Sequence, residues 1–124
     1  MAVKKAHSSC LDTVKPVRDT LDVINGKWKL PIIIGLSTGP MRFKELQRTV
    51  ENITPKILSK ELKELEMNEF VTRKVYSTTP VTVEYELTPY ADTLEKVIIE
   101  LRDWGLEHRK RIFAKSRKRG VITG

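Results

Sequence analysis

"NITPKILSKELKELEMNEFVTRKVYS", residues 52–77, changes its period part-way along. Thr54 and Pro55 open the first half. A threonine can cap the free N–H groups of a helix start, and proline in the first helical position loses no hydrogen bond. Leu58, Leu62 and Leu65 follow at i, i+4 and i+7, a single stripe to bury. Lys56, Ser59, Lys60 and Lys63 fall on the opposite side, within roughly 100° of arc. Glu61, Glu64 and Glu66 flank them. This predicts a helix over 55–66 with one oily face and one cationic face. In "VTRKVYS", Val71, Arg73 and Val75 alternate with Thr72, Lys74 and Tyr76; "TTP" makes a turn; in "VTVEYEL", Val81, Val83, Tyr85 and Leu87 share one face. Two antiparallel strands joined by a short tip are expected over 71–87.

Upstream, Val17, Leu21 and Ile24 take helical spacing in "PVRDTLDVIN". Pro16 suits the first helical position there, and Gly26 suits a left-handed stop. A second short helix is expected over 27–37, where Pro31 is tolerable only in the first turn. Gly39 and Pro40 break the chain, and "MRFKELQRTV" reads as a third helix with Phe43, Leu46 and Val50 on one side. Downstream, Thr88 and Pro89 begin a last helix. Its main stripe is Leu94, Val97, Ile98, Leu101 and Trp104, while Ile99 and Leu106 sit on a different side. A helix with two apolar faces needs two things to pack on. A small domain offers one core, so a partner subunit is expected as the second; the alternative is that the N-terminal helix of the same chain covers it.

The 124 residues make one domain, 1–124, and a hydrophobic fraction of 40% supplies one modest core. "LPIII" is the densest apolar run, far short of the roughly 20 residues of a membrane span. The N-terminus shows no apolar segment of the secretory kind, so a cytoplasmic protein with no membrane partner is expected. A single cysteine excludes an internal disulfide and any multi-cysteine metal site. The formal charge is +7, and its location matters more than its size. Residues 109–119, "RKRIFAKSRKR", hold seven Lys/Arg and no acid; without them the chain has 16 basic and 16 acidic residues. Either a polyanion partner or a frayed, solvated basic tail would account for this.

Helix, helix, turn, helix and then a ribbon is the order of a winged helix-turn-helix, mainly α with a small β-hairpin wing. Such a domain buries one face of its recognition helix and offers the other to a DNA groove. Lysine meets phosphates or guanine edges, and serine can meet either. On this reading the helix start (Thr54, Pro55), the cationic face (Lys56, Ser59, Lys60, Lys63), the wing strand (Arg73, Lys74) and the wing tip (Ser77, Thr78, Thr79) contact double-stranded DNA. The plainer alternative is an ordinary solvent-facing helix.

At these residues the sequence resembles the HxlR family of bacterial transcription regulators. The likeness is carried by "LDVINGKWKLPII", "MRFKELQRTVENITPKILSKELKELE", "TTPVTVEYELT" and "LRDWGLEH", from about Cys10 to His108. The resemblance implies a dimeric winged-helix protein that binds operator DNA, with Arg42 and Lys44 beside the recognition-helix contacts. It also implies a dimer built from the N- and C-terminal helices, giving Val17, Leu21, Leu94, Val97, Ile98, Ile99, Leu101, Trp104 and Leu106 as interface residues. One departure is Ala91 in "PYADTL", where the family usually has glycine; another is the basic extension over 109–124.

Cys10 sits where many members of that family carry an N-terminal cysteine, which in some of them senses oxidants or electrophiles. The anion is the reactive form of a thiol, and Lys4, Lys5, His7 and Lys15 bring positive charge near it in sequence. A semi-buried thiol without a role is the alternative. His7 and Cys10 are too few for structural zinc, and a Cys–His nucleophile would need an orienting group and a pocket. Trp28 and Trp104 suit a core or an interface. The expectation is therefore a DNA-binding regulator without enzymatic activity, metal or cofactor, open to a small-molecule or electrophile effector. A winged-helix module for protein or RNA contacts, a Cys10-based sensor and a small thiol enzyme are the competing readings.

Overall fold

The computed structural model describes residues 7–118. Lys4, Lys5 and the end of the basic extension, 119–124, lie outside them, as does the side chain of His7. Five helices and a small sheet follow in the order α1 (His7–Val23), α2 (Lys29–Leu36), β1 (Met41–Arg42), α3 (Phe43–Thr49), α4 (Pro55–Met67), β2 (Val71–Tyr76), β3 (Thr82–Leu87), a 3₁₀ turn (Pro89–Leu94) and α5 (Glu95–Lys118). The expected winged helix-turn-helix is what forms.

The core gathers at α2, α3 and α4. Ile32, Ile33 and Leu36 meet Leu46, Val50 and Ile53, and the predicted stripe Leu58, Leu62 and Leu65 closes on them. α2 and α3 approach closely at Gly35, where an added Cβ would sit 3.3 Å from the Thr49 methyl and 3.5 Å from a Leu46 methyl. Gly26 makes the left-handed turn after α1, with φ at +76°.

Five expectations are corrected. Over the described residues α1 runs His7–Val23, and Pro16 lies inside it. The proline removes one backbone donor from the helix interior. Strand β1 precedes α3, so the ribbon is a three-stranded sheet of order β1-β3-β2, with Met41 paired to Tyr85 and Arg42 to Glu84. The last helix does not start at Pro89: Thr88 caps a 3₁₀ turn through its hydroxyl, which accepts from Ala91 N–H, and α5 begins at Glu95. The basic segment is no frayed tail over its described part, because α5 stays helical to Lys118. The main stripe of α5 also divides: Leu94 and Ile98 pack on the core, whereas Leu101 and Trp104 are exposed.

The abrupt passage from α4 to β2 has a specific cause. Glu69 adopts a left-handed conformation, φ +65°. Its N–H then donates to the Glu66 carbonyl and that of Phe70 to the Leu65 carbonyl, each at 3.0 Å. These are the two bonds of a Schellman closure, completed by the apolar pair Leu65 and Phe70, both buried. Strand pairing begins at once, with Val71 opposite Leu87. A left-handed conformation costs an L-residue roughly 1–2 kcal/mol, partly offset in any glycine replacement by its greater freedom when unfolded. Glu69→Gly should therefore raise stability by about 0.5–1 kcal/mol in chemical denaturation; an unchanged or lower value would contradict this account.

Candidate nucleic-acid interface

α4 is held from both ends of its sequence logic. The Thr54 hydroxyl accepts from Ile57 N–H at 3.2 Å, and Pro55 occupies the first turn. Lys56, Ser59, Lys60 and Lys63 are all exposed on the side away from the buried leucines.

A residue that sequence reading missed secures this arrangement. Lys29, at the start of α2, is buried, with its side chain 7% exposed. Its Nζ donates to Glu61 Oε2 at 2.7 Å, to Glu64 Oε2 at 3.1 Å and to Asn25 Oδ1 at 3.4 Å. Burial works against the charged ammonium, but the hydrogen bonds to Glu61 and Glu64 outweigh it and hold its pKa above the ordinary value. The hydrogen bond from Lys29 in turn lowers the pKa of Glu64. The two glutamates expected as mere flanks of α4 are thus its electrostatic anchor to α2.

α3 stands beside α4. Arg42 and Lys44 are exposed at its start, where the Arg42 N–H donates to Glu45 Oε1 at 3.1 Å. Arg48, one turn beyond Lys44, joins them along an open cleft whose other side is Pro80, Val81 and Thr82 of the wing tip. Arg48 was not among the expected contacts, although its i, i+4 spacing from Lys44 was visible.

The wing is less cationic than its sequence suggests. Lys74 lies 2.7 Å from Glu86, diagonally across the ribbon, and the hydrogen bond to Glu86 raises its pKa. Arg73 is exposed on the other face of β2, opposite Tyr85. At the tip, the Thr78 hydroxyl donates to the Pro80 carbonyl at 2.7 Å and lies 2.9 Å from the Thr82 hydroxyl, so it shapes the turn. Ser77 and Thr79 are exposed there.

The remaining expected residues lie elsewhere. Cys10 is half-buried in α1. Val17 and Leu21 of α1, and Val97, Leu101, Trp104 and Leu106 of α5, are exposed, whereas Leu94, Ile98 and Ile99 are half-buried. Trp28 packs against the core, and Trp104 stacks on His108 at 4.8 Å between ring centres. Among the described residues no helix is long and apolar enough to cross a membrane.

Lys29→Met should cost about 3–5 kcal/mol of stability, because it strands the Glu61 carboxylate, 12% exposed, without its cation. The pH dependence has a defined sign. Glu64, with its pKa lowered, contributes stability above its ordinary 4.5 that is lost as the pH falls through the depressed value. Lys29, with its pKa raised, contributes below its ordinary 10.5, and this is lost as the pH rises through the raised value. Thermal melts across pH should show a plateau between those limits, and Lys29→Met should flatten both edges. Edges as steep as those of the unaltered protein would rule the triad out as their source.

Comparison with known proteins agrees with this geometry. The family model for the HxlR-like helix-turn-helix matches residues 23–113. The HTH-type transcriptional regulator YdeP of Bacillus subtilis is 42% identical over 97 residues, covering 78% of this chain and 76% of that protein. The solved structure of the redox regulator HypR in its reduced form superposes with a TM-score of 0.74 at 39% identity, covering 80% of this chain and 98% of the other. The reduced form of the transcriptional regulator YodB from B. subtilis gives a TM-score of 0.66 at 40% identity, over 70% and 85% of the two chains.

Proposed function

The chain belongs to the HxlR-like helix-turn-helix family, whose members are transcriptional regulators, and from that membership we propose how it reads DNA. It binds double-stranded operator DNA as a homodimer, with α4 in the major groove and the wing on the flanking backbone or minor groove. The observation that carries this reading is the division of α4: three leucines in the core, and Lys56, Ser59, Lys60 and Lys63 together on the exposed side. Arg42, Lys44 and Arg48 supply phosphate contacts from α3. Thr54 and Pro55 lie at the start of the reading helix, and Arg73 with Ser77, Thr78 and Thr79 follow the backbone from the wing. Lys74 contributes less, since Glu86 already holds it. The terminal helices form the dimer, which accounts for the exposed apolar residues Val17, Leu21, Leu101, Trp104 and Leu106.

Lys60 lies between Lys56 and Lys63 along the length of the cationic face. Lys60→Ala should leave the melting temperature unchanged and weaken binding to a duplex selected from random sequence by roughly 1–3 kcal/mol if it reads a base edge. If it meets a phosphate, the loss should be alike for all sequences, with a salt slope lower by about one unit. Leu62→Ala is the control for the buried face and should instead cost about 2–5 kcal/mol of stability. Full duplex affinity in Lys56→Ala, Lys60→Ala and Lys63→Ala alike would sink the reading, as would binding confined to RNA or protein. Sedimentation equilibrium tests the dimer: a monomer at micromolar concentration contradicts it.

A second reading adds a signal. The half-buried Cys10 and the likeness to the redox regulator HypR favour a thiol sensor on α1. An electrophile should then weaken duplex binding, and Cys10→Ser should abolish that response. A response that survives the substitution excludes the idea, because the chain has no other cysteine.

A further inference from the structure

α5 poses a problem that DNA binding leaves untouched. It spans 24 residues, about 36 Å, and from its tenth residue onward it carries Trp104 (68% exposed), Leu106, Ile112 and Phe113 into solvent. Residues 109–118 add six Lys/Arg and no acid. At the other end of the helix a groove opens between α2, the base of β3 and α5. Its floor is apolar, including Ile34, Leu36, Leu87 and Ile99; its charged residues are Glu86, Asp92 and Glu95, and among the described residues no cation lines it. One end of α5 is thus apolar and basic, and the groove beside the other end is apolar and acidic.

The basic end cannot fill the groove of its own chain, because Phe113 lies 18 residues beyond Glu95, roughly 27 Å along one helix. A second copy can bring it there. Eighteen residues are five whole turns, so Glu95 and Phe113 lie on the same side of α5, with Ile99, Leu106, Lys110 and Arg117 close to that line. The stripe of Leu101, Gly105 and Ile112 lies roughly a quarter-turn away. Gly105 is a helix-interior glycine whose absent Cβ would meet nothing within 4 Å. Glycine there costs about 1 kcal/mol relative to alanine, with no compensating contact inside the chain; a second backbone crossing at that point would supply one. A two-fold axis setting Gly105 against Gly105 runs the helices antiparallel and brings like sides together. Glu95 then stands at the level of Phe113 to Arg117 of the second copy, on the side where those residues project.

We propose that the basic end of α5 from a second copy seats in this groove, Phe113 on the apolar floor and Lys110 and Arg117 toward Asp92 and Glu95. The contact occurs twice in a symmetric dimer. It rests on the homodimer reading above and specifies how that dimer is locked.

The test is sedimentation equilibrium on the full chain without DNA, with circular dichroism to verify folding. Asp92→Lys/Glu95→Lys and Lys110→Glu/Arg117→Glu should each weaken dimerisation about tenfold or more, since each sets like charges together. An equimolar mixture of the two should recover a tight heterodimer, because both of its contacts are again complementary. Phe113→Asp, on an exposed position that the fold does not depend on, should weaken the dimer likewise and stands in if a groove variant misfolds. A monomeric unaltered protein would overturn the dimer reading and this inference together. A dimer unaffected by the charge reversals or by Phe113→Asp would overturn this inference alone. The same holds if Lys110→Glu/Arg117→Glu lowers only duplex affinity, which would assign the basic end to DNA.

Discussion

A buried ammonium organises the surface of this domain. α4 carries three lysines and three glutamates, no net charge at all. What it presents outward depends on which of them are drawn inward. Lys29 draws in Glu61 and Glu64, leaving Lys56, Lys60 and Lys63, with Glu66, as the exposed charges of α4. Removing an ammonium from water costs several kcal/mol and is offset only when good acceptors meet it. Here two carboxylates and the Asn25 amide oxygen do so. The same contact fixes α4 against α2, so the angle of the reading helix and the sign of its face come from one cluster.

The parts of the fold that follow local periodicity were legible in the residues. The stripe of Leu58, Leu62 and Leu65, the Thr54 cap and the alternation of the ribbon are each written within a few positions. Lys29 was not, because a lysine in isolation reads as solvent-facing and its partners lie 32 and 35 residues away. β1 was missed because two residues cannot display a period of two. Pro16 was taken for a boundary, yet the spacing of Leu11, Val14, Val17 and Leu21 runs helically across it. Of the expected interface, the cationic face of α4 was readable in full. The ion pair that restrains Lys74 was not, since it joins the two strands diagonally.

The two terminal helices each carry a run of exposed apolar residues, where α2 and α4 expose only Ile34 and Met67. Leu11, Val14, Val17 and Leu21 on α1, and Leu101, Trp104, Ile112 and Phe113 on α5, are exposed. The α2–α4 core is complete without them. The molecule therefore has a closed reading head and open ends, and stability added by covering those ends would depend on protein concentration. The groove beside Glu95 lies where the closed and open parts meet, against α2 on one side and the base of the wing on the other.

The left-handed Glu69 couples two periodicities that otherwise have nothing to do with each other. A helix advances about 100° per residue and a strand half a turn, and the Schellman closure joins them without slack. Thr88 reinforces the join, its N–H donating to the Phe70 carbonyl and its hydroxyl to that of Glu69. Inserting one residue between Leu65 and Val71 would invert every side chain of β2 relative to the core. Length variation among descendants of this chain should therefore be barred at this junction and collect at the wing tip, where the turn between Tyr76 and Thr82 is closed by its own hydroxyl bonds.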